Sequence, residues 1–145
     1  MQLRRGDYEI SDEPARIDRA AVHRFLAGTY WSEGIPAATV DKAIDNSLCV
    51  GLYREEKIVG FARCVTDRAT FAYLCDVFVA PEHRARGLGK WMVESLLGHA
   101  ELQGLRRICL MTRDAHSLYQ AFGFTPMRDP TRYLELHRPD VYTPA

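Results

Sequence analysis

Arg84-Ala85-Arg86-Gly87-Leu88-Gly89 stands between the apolar run Tyr73-Leu74-Cys75-Asp76-Val77-Phe78-Val79 and the helical pattern Lys90-Trp91-Met92-Val93-Glu94-Ser95-Leu96-Leu97. The order is strand, basic glycine-containing turn, helix start. Glycines in such a turn let backbone N–H groups approach a phosphate without side-chain obstruction. The dipole of the following helix adds to the pull on an anion. The stretch from Arg84 to Lys90 is therefore expected to grip a phosphorylated ligand. Two common phosphate loops do not fit it. A P-loop needs Gly where Arg84 stands and Ser or Thr where Trp91 stands. The dinucleotide fingerprint needs a third Gly where Met92 stands. What remains is the pattern R-x-x-G-x-G.

Upstream of the turn, the chain predicts three antiparallel strands. Leu48 to Tyr53 reads as a strand, Glu55-Glu56-Lys57 as a tight polar turn, and Ile58 to Thr66 as the return strand of a hairpin. Asp67-Arg68-Ala69 turns the chain into the strand that ends at Val79. Earlier still, Tyr8 to Ser11 predicts a short first strand. Asp18 is placed to N-cap a helix with Val22, Phe25 and Leu26 on its apolar face, ending near Gly28. Pro36 suits the first turn of a second helix running to about Asn46. Downstream, the helix after the turn is expected to end by Gly104. Arg107 to Thr112 predicts a strand parallel to the one ending at Val79, across a right-handed crossover. A short helix from Asp114 or Ala115 through Phe122 follows, then a last strand from Arg132 to Leu136. Residues 139–145 show no regular pattern.

The short helix carries a second motif, Ala115-His116-Ser117-Leu118-Tyr119-Gln120-Ala121-Phe122-Gly123-Phe124. Ala115, Leu118 and Phe122 fall on one helical face at spacings of three and four. Tyr119 falls off that face and is expected to point at a neighbouring cleft. Gly123 permits the chain to reverse, and Phe124 plugs the core. With R-x-x-G-x-G one strand earlier, the motif A-x-x-L-Y-x-x-x-G-F makes the chain resemble the GCN5-related N-acetyltransferases, the GNAT superfamily. The resemblance spans about residues 45 to 137. The first forty residues, where such enzymes differ by acceptor, resemble it only in predicted layout.

The resemblance implies an α/β fold: a mostly antiparallel central sheet of six or seven strands, one splayed parallel pair, and helices on both faces. It implies acetyl-CoA as cosubstrate and a primary amine as acceptor, whether small metabolite, amino acid or peptide, acetylated by direct attack in a ternary complex. The pantetheine arm would lie along Val77, Phe78 and Val79 in strand fashion. The pyrophosphate would sit on Ala85, Gly87, Leu88, Gly89 and Lys90, with Arg84 and Arg86 adding charge at the rim. Thr112 stands where relatives often carry Asn and would touch the same arm. Tyr119 resembles the tyrosine that serves relatives as general acid. A thiol near pKa ~8.5 and a phenol near ~10 put full proton donation about 2 kcal/mol uphill, which favours a strong hydrogen bond over complete transfer.

A protonated amine must first lose its proton, directly or through water. Asp76 is the one charged residue inside the run from Tyr73 to Val79, so it is either paired or functional. Alternation sets it opposite Tyr73 and Cys75, and a bulge would re-aim it. It is the first candidate base, ahead of His116 and Glu33. Tyr30 and Trp31 either stack on the acceptor or cover the core edge. Arg63 and Asp67 flank the same hairpin, with solvation as their simplest role.

The 145 residues predict one domain, with roughly two-thirds of the unfolded surface buried. Nineteen basic and nineteen acidic residues give zero formal net charge, which argues against a general nucleic-acid or anionic-membrane binder. The four cysteines are scattered in apolar runs and read as reduced, buried thiols; no metal-ligand spacing appears among them and the histidines, so no metal is expected. The polar opening resembles no signal peptide and no apolar run reaches spanning length, which predicts a cytoplasmic protein. Its edge strands leave a homodimer open. The rival from another class is a non-catalytic acyl-CoA-binding module, and a further rival is transfer of a longer acyl chain.

Overall fold

The computed structural model describes residues 1–143. Its elements are β1 (Gln2–Arg5), β2 (Tyr8–Ser11), α1 (Arg19–Ala27), α2 (Ala37–Asp45), β3 (Leu48–Arg54), β4 (Lys57–Thr66), β5 (Phe71–Val79), α3 (Leu88–Leu97), β6 (Arg107–Leu110) and α4 (His116–Gln120). The strands form one sheet in chain order, β1 to β6. All neighbours are antiparallel except β5 and β6, which are parallel across α3. Among the described residues no helix is long and apolar enough to cross a membrane.

Side-chain alternation builds a core on each face. Leu48, Val50 and Leu52 of β3 meet Leu88, Met92, Val93 and Leu96 of α3. Cys49 and Tyr53, pointing the other way, meet Val22 and Leu26 of α1 with Val40 and Ile44 of α2. A central strand buried on both faces must be apolar throughout, which is why β3 reads as an unbroken run. Gly51 belongs to this arrangement, since a Cβ there would lie 2.5 Å from the Tyr53 hydroxyl. The Asp18 carboxylate accepts the Ala21 N–H and starts α1, as its residue type predicts.

The strand turns are set by short polar residues. Glu55 and Glu56 both take positive φ, 51° and 65°, the handedness that a two-residue hairpin requires. Asp67 closes the β4–β5 turn: one carboxylate oxygen accepts the N–H groups of Ala69, Thr70 and Phe71, and the other accepts the Thr70 hydroxyl. These bonds hold its carboxyl well below the usual carboxylate range, the Thr70 hydroxyl being the largest cause. The expectation of a merely solvated Asp67 is thereby corrected.

The structure departs from the sequence expectations at four further places. A strand precedes the expected first one: β1 is exposed along its whole length and carries no burial pattern, and only its backbone pairing with β2 defines it. The helix expected to reach Gly104 stops at Leu97, where Gly98 caps it, and a separate 3-10 turn spans Ala100–Leu102. The helix expected through Phe122 is the short α4. The expected last strand over Arg132 to Leu136 does not form: a 3-10 turn covers Pro130–Arg132 and, among the described residues, the next ones have no strand partner. Of the tail expected to be irregular, residues 144 and 145 lie outside the described part.

Candidate functional site

The parallel pairing of β5 and β6 begins at Phe71 and Arg107 and ends at Leu74 and Leu110. Beyond that point β5 continues to Val79 with no strand neighbour on that side among the described residues. Unpaired buried amides need partners, so the stretch Cys75 to Val79 is ready for a ligand that bonds as a strand does. Val77 and Val79 pack toward the α3 core. Phe78 points the other way and stacks on Phe25 of α1, with centroids 4.7 Å apart.

The other edge of β5 is irregular in the same place. Phe61 pairs with Phe78 and Arg63 with Cys75, so β5 spends one extra residue between them. Asp76 takes up that excess at φ 54°, a left-handed conformation that Asp tolerates better than most residues. The bulge re-aims the Asp76 side chain, as such a bulge was expected to do. Its Oδ2 accepts the Arg63 Nε–H at 2.9 Å and its Oδ1 accepts the Trp31 indole N–H at 3.0 Å. Arg63 also donates to the Ser47 hydroxyl at 3.1 Å. Arg63 is thus a partly buried ion-pair partner rather than a solvated hairpin residue, because its register partner Cys75 lies next to Asp76.

Trp31 carries this network into the loop between α1 and α2. Tyr30 packs edge-on against Trp31 at 5.1 Å, and the Arg113 guanidinium lies 3.7 Å from the Tyr30 ring centroid. Tyr30 and Trp31 remain about half exposed. One chain of contacts therefore runs from Arg113, just after β6, through the loop to β5 and β4. Glu33 and His116 are exposed and take no part in it.

The phosphate turn follows Val79. Ala80 donates its N–H to Val59 and closes the strand end at 2.8 Å. A 3-10 turn over Pro81–His83 leads to Ala85 at φ 62° and Gly87 at φ 74°. Two left-handed residues in three turn the chain sharply into α3, whose N-terminus has no side-chain cap. Its first N–H groups, those of Leu88, Gly89 and Lys90, are orphans that an anion satisfies. Arg84 is folded back: its Nε donates to the Val79 carbonyl at 2.8 Å and its guanidinium sits over Phe78. Arg86 is exposed at the rim.

Tyr119 is the one buried residue of α4, sharing the α3-side core with Val77, Val79 and Leu110. Ala115, Leu118 and Phe122 are only partly buried, which reverses the expected order, because α4 is too short for a sustained apolar face. The ring meets Phe124 edge-on at 5.9 Å. Burial pushes the phenol up, so it stays protonated. The Thr112 hydroxyl oxygen accepts the Ala115 N–H at 3.0 Å and so helps start α4.

The bend, the uncapped helix and the unpaired strand fit a ligand with a pyrophosphate and an amide-bearing arm, as coenzyme A has. Comparison with known proteins points the same way. The acetyltransferase (GNAT) family model matches residues 15–124. A provisionally named acetyltransferase of Gibberella zeae is 37% identical over 138 residues, covering 79% of this chain and 77% of its own. The crystal structure of a chain from Xanthomonas campestris, provisionally placed in the same family, superposes with a TM-score of 0.92 at 45% identity, covering 94% of this chain and 97% of that one. A Clostridium acetobutylicum chain solved with acetyl-CoA shares the fold, with a TM-score of 0.65 at 17% identity over 94% of this chain and 96% of its own. The chain belongs to the acetyltransferase (GNAT) family.

Proposed function

We propose that this acetyltransferase moves the acetyl group of acetyl-CoA onto a primary amine, by direct attack with both substrates bound. The observation that carries the reading is the coincidence, at one end of β5, of unpaired strand amides, an uncapped basic helix start and a protonated buried phenol. The thioester supplies an activated acetyl group. Val77 and Val79 hold the pantetheine arm through their backbone groups, Phe78 fixes the strand from behind, and the amides from Ala85 to Lys90 hold the pyrophosphate. Arg86 adds charge at the rim, Arg84 braces the turn, and Thr112 borders the arm. A backbone N–H at the bulge near Val77 faces the oxyanion that develops on attack.

Tyr119 donates a hydrogen bond to the leaving sulfur. A phenol raised by burial is a weaker acid than a free one, which supports hydrogen bonding over full transfer. Tyr30 and Trp31 form the acceptor wall, and Asp76 holds that wall against β5. Both Asp76 carboxylate oxygens are already engaged, which supports a holding role and leaves the amine proton to pass through water. The same engagement favours one rival, an acyl-CoA-binding module without catalysis. Thiol release from acetyl-CoA, screened against amines, amino acids and peptides, separates the two. Turnover with at least one amine is expected, and Tyr119→Phe should lower it by about 10²-fold while leaving coenzyme A affinity within a factor of about two. Coenzyme A binding with no turnover on any acceptor would leave the binding module standing.

A further inference from the structure

The Arg113 guanidinium lies 3.7 Å over the Tyr30 ring, yet among the described residues it forms no ion pair and donates no side-chain hydrogen bond. Four other arginines stack on rings, at 4.3 Å or more. Three of these are also tied to acceptors: Arg16 to Glu9, Arg54 to Asp7, and Arg84 to the Val79 carbonyl. The fourth, Arg5, lies on β1 at the opposite edge of the sheet from β6. A guanidinium stacked on a ring keeps its N–H donors in its own plane, where a carboxylate can accept two of them at once. The ring beneath Arg113 is itself fixed, since Trp31 meets it edge-on and is bonded to Asp76. The loop around it is tied down as well. The Thr29 hydroxyl donates to the Leu26 carbonyl at 2.7 Å, and the His23 Nε2–H donates to the Ile35 carbonyl at 2.8 Å. A pre-set wall loses little freedom when a ligand arrives. Arg113 follows β6 and Trp31 is held at the bulge of β5, so the stacked pair bridges the two strands that part after Leu74 and Leu110. Asp76 has both oxygens engaged, and the other acidic residues of these two segments, Glu33 and Asp114, are exposed. A bare ammonium therefore meets no free carboxylate within the wall, whereas an anionic group meets Arg113.

We propose that Arg113 sets acceptor specificity, and that the acceptor is a small amine carrying its own carboxylate, as an amino acid does. The carboxylate takes the free edge of the Arg113 guanidinium, and the amine stands at the Trp31 end of the wall, toward the bulge of β5. The inference rests on the acetyl-transfer reading and narrows its acceptor. Arg113 holds the end of the substrate that does not react, so its contribution is to binding and placement rather than to proton transfer. A carboxylate suits the site better than a phosphate. One planar group faces another, whereas a doubly charged phosphate would meet a single free cation here.

Acetyl-CoA turnover on matched acceptors tests it: amino acids, the same amino acids as carboxamides, and aminoalkyl phosphates. The carboxamide has the less basic amine, so basicity alone favours it, and a preference for the acid reports recognition. The acids should show kcat/KM at least about tenfold above their carboxamides. Arg113→Gln should raise the KM of the acids by about 10- to 100-fold and leave kcat, the carboxamide kinetics and the acetyl-CoA KM within a factor of about three. Arg113→Lys, which keeps the charge but not the fork, should recover part of the loss. Arg5→Gln, which removes a stacked arginine from the far edge, should change neither substrate. Equal kcat/KM for acids and carboxamides overturns the proposal, as does an acid preference that survives Arg113→Gln. Phosphates used better than acids overturn the carboxylate assignment. If no amine turns over, the acetyl-transfer reading falls and the Trp31 fluorescence decides for Arg113, with amino acids titrated against the coenzyme A complex. Quenching that Arg113→Gln abolishes supports the carboxylate site, and no quenching in the wild type overturns it.

Discussion

Asp76 shows how far one residue's surroundings determine its work. From sequence, a lone carboxylate in an apolar strand was either paired or reactive, and alternation could not choose. The register chooses: counting back from the turn at Asp67 sets Arg63 opposite Cys75, one residue from the bulge. That neighbour was legible in the hairpin, whereas the Trp31 contact was not, because a loop forty-five positions away leaves no periodic trace. Asp76→Asn keeps a residue type suited to φ 54° but leaves the largely buried Arg63 charge without its counter-ion. A loss of about 3 kcal/mol in denaturant unfolding is expected, as for other broken buried pairs. With a holding role, the acceptor KM should rise and the pH profile of kcat should keep its shape; a base would take one limb of that profile with it. Tyr53 offers a contrasting case. Among the described residues its hydroxyl is the one buried side-chain polar atom without a hydrogen bond, and burial pushes it up to about 12. Burial penalises the ionised form, so the shift has no effect below the ordinary value near 10, and as pH climbs from there toward 12 the unfolded chain loses its proton first and stability falls. Tyr53→Phe should stabilise the protein by about 1 kcal/mol at neutral pH, and its alkaline loss of stability should be smaller in thermal melts.

At the scale of elements, the phosphate turn was the clearest in the sequence, since R-x-x-G-x-G combines charge, glycine and a helix start within six residues. The structure adds that Gly87 stands at φ 74° and that Ala85 shares the left-handed region. A Cβ at Gly87 would meet nothing within 4 Å, so the cost of Gly87→Ala is conformational rather than steric. It should destabilise the fold by about 1 kcal/mol and, by shifting the amides proposed to hold the pyrophosphate, weaken coenzyme A in calorimetry by about tenfold. The short pieces were less legible. β1 has no buried face to announce it, and α3 ends at a glycine that looked like an interior residue because a second glycine, Gly104, offered a later stop. Residues 133–137 alternate as a strand should, yet alternation reports only which side chains share a face. Pairing requires a neighbour, and among the described residues no strand supplies one.

For the whole molecule, the sequence conveyed the layered α/β arrangement well, because β3 and most of β4 are buried on both faces and β5 alternates buried with half-buried residues. It conveyed the proposed acceptor side poorly, because the Tyr30, Trp31 and Asp76 cluster is assembled from a loop and a bulge distant from one another in the chain. A ligand that binds only the folded form raises stability by mass action, about 2.7 kcal/mol at a hundredfold excess over Kd. For a chain of this size, coenzyme A at that excess should raise the melting temperature by about 5–10 °C in a thermal scan. An unmoved melting curve would remove the donor site on which the proposed chemistry rests. The two halves of the site also differ in what they are made of. On the proposed reading, main-chain amides along β5 and into α3 hold the donor, and a point substitution cannot delete an amide except by introducing proline. The proposed acceptor wall is instead a handful of side chains from separate segments. If that division holds, drift or engineering can retarget what this scaffold modifies in a few steps, while the group it delivers stays the same.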